Sequence, residues 1–174
     1  MKNNILLILA CFTSIFCSSQ MKLNKNKEID ILIKTPVKLA PEKPIIYTIK
    51  NSSDKTFIID PYGFVGDSYW TFNNKKLIPI EFSRGYYSRE DKNCRDDLII
   101  IKPKQKIDIG LSLNYVDKAI YDYSKTGNYI RNIQSKHSKQ NGMPSTCKSY
   151  INELEKKGYI MLEDSIVAKI PFVK

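Results

Sequence analysis

The sequence predicts a mainly β protein, an antiparallel β-sandwich with one helix inserted near the C-terminus. Two patterns carry the sheet. Short segments alternate apolar with polar or small residues, as in Ile107-Asp108-Ile109-Gly110-Leu111-Ser112-Leu113, which is the period of a half-buried strand. Clusters of short polar residues, such as Asn51-Ser52-Ser53-Asp54, fall between those segments and favour turns because their side chains bond their own backbone. A third pattern sets residues 145–157 apart: Cys147, Tyr150, Ile151 and Leu154 fall on one helical stripe. A chain of 174 residues suffices for one domain with a proper core.

The chain opens with Lys2 as a basic start, a mostly apolar run over residues 5–16, and Cys17-Ser18-Ser19 before Gln20. Residues 1–19 therefore read as a cleaved secretory signal peptide, cut before Gln20, with an apolar run too short for a persuasive membrane span. It resembles bacterial signals that end in a small residue followed by glutamine. The alternative is a lipid anchor at Cys17 or Cys11. Phe16 is the wrong neighbour for the first, and the apolar run before the second is short. The expected location is the periplasm or the outside of the cell, with no transmembrane helix left after signal removal.

Residues 20–28 are polar and lysine-rich and read as a flexible leader, which leaves residues 29–174 as the sandwich domain. Ile29, Ile31 and Ile33 mark the first strand. Residues 45–49 and 56–59 read as a hairpin-like pair joined by the Asn51-Ser52-Ser53-Asp54 turn. Residues 68–72 and 77–80 form a second small hairpin around Asn73-Asn74, with Pro79 at an edge because it cannot donate to a ladder. Residues 98–101 and 107–113 are strands, and Gly127-Asn128-Tyr129-Ile130 starts another. Residues 136–142 read as a mobile polar loop. The helix over residues 145–157 is capped by Ser145 or Thr146 and stopped by Gly158. Residues 159–162 add a short strand, and Ile166, Ala168, Ile170 and Phe172 form the last one, placed at an edge by Pro171.

The net charge of +10 comes largely from lysines scattered without a steady aromatic spacing. They read as solvent and edge decoration, and no nucleic-acid partner is expected. Cys94 and Cys147 are the cysteines left after signal removal, and in an exported chain they are expected to pair. Two cysteines and one histidine do not make a tetrahedral zinc set, and the seven glycines form no phosphate loop, so no metal and no cofactor is expected. His137, in Ser135-Lys136-His137-Ser138-Lys139, reads as a solvated loop histidine. Glu90-Asp91 and Asp96-Asp97 flank Cys94 and could serve hydrolysis, although adjacent loop carboxylates usually solvate the loop.

The Gly127-Asn128-Tyr129 start resembles the tyrosine corner of immunoglobulin-like domains, where a tyrosine bonds backbone across a loop. The wider set joins three stretches, Tyr47-Thr48-Ile49-Lys50-Asn51-Ser52-Ser53-Asp54, Ile101-Lys102-Pro103-Lys104-Gln105 and Tyr121 to Tyr129. It resembles the non-catalytic β-domain that precedes the zinc protease domain of deuterolysin-like, lysine-specific metalloendopeptidases. No His-Glu-x-x-His follows, so the resemblance implies an immunoglobulin-like module without protease activity. Tyr62, Tyr69, Trp70, Arg84, Tyr86, Tyr87 and Arg89 concentrate the residue types of interface hot spots and form the expected binding patch. The expected function is a non-catalytic binding or accessory module for another exported protein or an envelope glycan. An inhibitor or immunity-type protein against an exported hydrolase is the alternative, and a small hydrolase using loop carboxylates is a third reading.

Overall fold

Alternating burial along the strands builds a sandwich, as the sequence period requires. The computed structural model describes residues 19–39, 44–83, 89–113, 118–140 and 147–174. The chain enters through β1 (Ser19–Lys22) and β2 (Ile29–Thr35), then passes a cis Thr35–Pro36 peptide into β3 (Val37–Lys38). Next come β4 (Ile46–Asn51), β5 (Phe57–Ile59), β6 (Phe64–Phe72), β7 (Lys75–Lys76) and β8 (Glu81–Ser83). The short helix α1 (Cys94–Asp97) leads to β9 (Ile99–Ile101), β10 (Lys106–Gly110), β11 (Lys118–Ile120) and β12 (Tyr129–His137). The chain ends with α2 (Lys148–Lys156), β13 (Ile160–Met161) and β14 (Asp164–Val173).

One sheet runs β1-β2-β4-β10 and is antiparallel throughout; the other runs β3-β14-β12-β6-β7, with β3 added parallel to β14. This is immunoglobulin-like connectivity, with the opening strand divided between the two sheets. The tyrosine corner is formed, since the Tyr129 hydroxyl donates to the Lys125 carbonyl at 2.8 Å. Ile29, Ile31, Ile33, Tyr47 and Ile49 face Phe64, Tyr129, Ile133, Ile166 and Ile170 across the main core. Each such side chain contributes on the order of 2 kcal/mol by leaving water.

A third, small sheet, β13-β5-β9, gives the molecule a second core. The expected hairpin of residues 45–49 with 56–59 is not formed, because β5 leaves β4 and pairs with β9 and β13 instead. The reason is burial on both faces. Phe57 and Ile59 join the main core, while Ile58 joins a cluster with Cys94, Leu98, Cys147, Ile151, Leu154 and Met161. The turn itself is real: the Asn51 amide donates to the Lys55 and Lys102 carbonyls, and its Oδ1 accepts from the Ser53 amide. Helix α2 covers the second cluster with Ile151 and Leu154, and Gly158, at φ 86°, terminates it. The helix is shorter than residues 145–157, and the expected caps Ser145 and Thr146 lie outside the described residues. Cys94 and Cys147 are bonded, closing a separation of 53 residues, which stabilises by about 4 kcal/mol on chain-entropy grounds.

Several boundaries move. Residues 20–28 are not a flexible leader: Gln20 to Lys22 pair with β2, Met21 packs on the core, and Leu23 and Asn24 are buried. The lysines around them hide a short inward alternation. The domain therefore starts by Ser19, and the expected cut before Gln20 falls one residue into β1; residues 1–18 lie outside the described residues. Residues 136 and 137 belong to β12 rather than to a mobile loop. Residues 77–80 add no strand after β7, so Pro79 marks no ladder edge. Strand β14 is not an edge but lies between β3 and β12. Val173 accepts from the Leu39 amide, so alternate residues of β14 aim their backbone at β3, and β3 pairing begins only at Phe172. The missing donor of Pro171 therefore falls beyond the end of β3 and no ladder bond is lost. Among the described residues, no helix is long and apolar enough to cross a membrane.

Candidate functional site

Strand β12 turns Tyr129, Arg131, Ile133, Ser135 and His137 toward the other sheet, because side chains alternate faces. Four of these are buried; Arg131, in register with Trp70 on β6 and Ile170 on β14, is half-buried between the sheets. Its Nε is buried and makes no hydrogen bond. It lines a cavity of about 820 Å³ together with Tyr47, Tyr62, Trp70, Leu111 and Tyr121. Asp96 and Asp97 of α1 line the same cavity. A neighbouring cavity of about 610 Å³, on the Pro36 side, shares the Trp70 wall.

The Arg131 charge is felt by the phenols around it. Burial pushes Tyr47 above the ordinary tyrosine range, with the Arg131 charge pulling the other way. Tyr121 is likewise raised by burial, against a backbone bond to Trp70 and the Arg131 charge. Tyr123 is pushed up to about 12, again by burial first. These rings pack on one another: Trp70 meets Tyr123 edge-on at 5.1 Å and Phe172 at 4.6 Å, and Tyr123 meets Tyr129 at 5.6 Å.

The expected aromatic and arginine patch does not come together as one surface. Tyr69 and Trp70 are adjacent on β6 and so face opposite sides; Tyr69 lies outside, under the Lys76 ammonium at 4.9 Å, while Trp70 faces the cavity. Tyr62 lines the cavity and carries the Arg89 guanidinium at 5.6 Å from its ring. Arg84, Tyr86 and Tyr87 lie outside the described residues. Arg89 is no surface residue at all. Its side chain is fully buried and forks onto Asp60, with Nη2 to Oδ1 at 2.8 Å and Nη1 to Oδ2 at 3.0 Å. Its Nε donates to Asp97 at 2.9 Å, and Nη1 lies 3.6 Å from the Cys147 sulfur. Glu90 pairs with exposed Lys92 at 2.6 Å.

His137 is not a solvated loop residue but is buried at the end of β12. The Asp60 amide donates to Nε2 at 3.0 Å, and Nδ1 lies 2.6 Å from the Leu162 carbonyl. An amide donor on one side and a carbonyl on the other fix the neutral tautomer with the proton on Nδ1. Gly63 makes room for the ring, since a Cβ there would stand 2.9 Å from Nε2. Burial pushes the His137 pKa below the ordinary imidazole range, against its bond to Leu162 and the nearby Asp60.

With both nitrogens of the only histidine engaged in holding backbone, His137 supplies no free base. What the cavity offers is a guanidinium donor fork among phenols and aliphatic walls, a set suited to holding a ligand. Arg131 is missed by a search for motifs. The alternation Tyr129-x-Arg131-x-Ile133 nevertheless puts a charge in an apolar row and is readable as such.

His137 predicts a pH dependence of stability. Its folded pKa is depressed, so its contribution is complete above the unfolded value of about 6.5 and is lost as pH falls below it, by up to about 1.4 kcal/mol per unit. Urea unfolding between pH 7.5 and about 5 checks this. Wild-type stability should decline across that window, and His137→Gln should remove the slope; a flat wild-type profile contradicts it. No protein-family model matches the chain, and no curated protein matches it.

Proposed function

We propose that the chain is an exported, non-catalytic binding or accessory module that works in the periplasm or outside the cell. The observation that carries this reading is the inter-sheet cavity, with aromatic walls and an arginine that no group of the fold engages at Nε. Its size falls in the range of about 300–1,000 Å³ typical of small-molecule sites. The engaged state of His137 and the ties of Asp97 to Arg89 and Glu90 to Lys92 weigh against the hydrolase reading. The disulfide and the lysine-rich surface suit an exported protein. The likeness to the β-domain of lysine-specific metalloendopeptidases fits the same role.

The inhibitor or immunity-type reading keeps one specific support. Ile78, Ile80, Phe82 and Ile120 are exposed along the β8–β11 ribbon, and grouped apolar side chains favour a protein partner.

Purified chain assayed against ester, peptide and glycoside panels should show no turnover above the blank. Turnover that disappears in Asp96→Asn or Asp97→Asn contradicts the module reading. For the second reading, Ile80→Ser with Phe82→Ser should abolish capture of an exported hydrolase and leave the melting temperature unchanged. Capture that persists removes the ribbon as its surface.

A further inference from the structure

We infer that the inter-sheet cavity takes an organic monocarboxylate with an apolar body, its carboxylate forked onto Arg131 and its body lying against Tyr47, Trp70 and Leu111. This rests on the reading of the chain as a binding module and names the chemistry of its ligand.

The placement of Arg131 is the first support. Its row on β12 is otherwise built for burial, with Tyr129 and Ile133 on either side in the main core. An aliphatic residue there would continue that core. Arginine instead brings a charge, and leaves a buried Nε without an acceptor. Asp97, a carboxylate of the same cavity, is held by Arg89. Arg131 itself lines the cavity and is only half-buried, and a carboxylate matches the planar fork of its guanidinium.

The walls set the rest of the ligand. Leu111, Trp70 and Tyr47 give it apolar and aromatic contact, and burial keeps the Tyr47 and Tyr121 phenols protonated, so their hydroxyls serve as donors beside the guanidinium. The charge follows from the same lining. One guanidinium balances one negative charge, while Asp96 and Asp97 repel a second, so a monoanion fits better than a phosphate dianion. The exposed lysines Lys34 and Lys38 at the neighbouring cavity offer no comparable built donor.

Trp70 is the only tryptophan and lines the cavity, so its emission reports occupancy. The disulfide-bonded chain is titrated with decanoate, with the neutral decanamide and with decyl phosphate, following Trp70 fluorescence and heat of binding. Decanoate should give a saturable response, and decanamide and decyl phosphate should each bind more than about tenfold more weakly. Arg131→Met should erase the preference for decanoate while keeping or raising the melting temperature, because it removes a buried Nε that makes no hydrogen bond. Equal affinity for decanamide, tighter binding of decyl phosphate, a preference that survives in Arg131→Met, or no saturable response at all would each overturn the assignment. The comparison of decanoate with decanamide on the wild-type chain decides even if the variant does not fold. Equal affinities remove the carboxylate and leave the module reading standing. Turnover in the enzyme assays removes the module reading without touching the carboxylate preference.

Discussion

The buried fork of Arg89 onto Asp60 is the constraint on which the helical side of the molecule depends. Both side chains are withdrawn from water, Arg89 completely and Asp60 to 1% exposure. Charges in that position are tolerable only when paired and hydrogen-bonded, and here each side-chain nitrogen of Arg89 and each carboxylate oxygen of Asp60 has a partner. Burial alone would lower the Arg89 pKa, yet the Asp60 bond and charge, then those of Asp97, hold it above its usual value. Asp60 in turn accepts from the Tyr62 amide, and its own amide is bonded to His137. Through Asp97 the fork reaches α1, and through the Cys147 sulfur it reaches the disulfide and the entry to α2. One guanidinium thereby sets the relation of β5, β12 and both helices.

That arrangement also fixes a wall of the cavity. Pro61, Tyr62, Asp96 and Asp97 line it, and all lie next to or within the Arg89 network. The opposite wall belongs to the sandwich, where Tyr47, Trp70 and Arg131 are positioned by strand register. The contrast between the two arginines is the physical argument for a site. Arg89 is buried with each of its side-chain nitrogens hydrogen-bonded, as a structural arginine must be, whereas Arg131 faces inward with its Nε unmet. Local departures of this kind, where the surroundings would accept an apolar residue, are expected where a protein binds something.

The strand pattern was legible because it is local. Ile29-x-Ile31-x-Ile33 and Ile166-x-Ala168-x-Ile170 need only a period of two to be read, and Cys94 and Cys147 needed only each other. The tyrosine corner is also a short-range signal, Tyr129 reaching back to Lys125. What escaped reading depends on partners distant in sequence. Arg89 looks like a surface anchor until Asp60, 29 residues earlier, is known to meet it. His137 looks solvated among lysines and serines, and its burial follows from Asp60, 77 residues away, and Leu162. The departure of β5 from β4 has the same origin, since β9 and β13 provide the cover that its second face requires. At Pro171 the rule against proline in central strands was sound, and only the length of β3 makes the exception.

The most direct test of this account is a double-mutant cycle on stability, with Asp60→Asn, Arg89→Met and the pair together, followed by urea unfolding with the disulfide intact. The account predicts that the double variant recovers much of what either single variant loses, with a coupling of about 3 kcal/mol. Single effects that add to within about 0.5 kcal/mol would contradict it, and would show that the two groups do not act as one constraint.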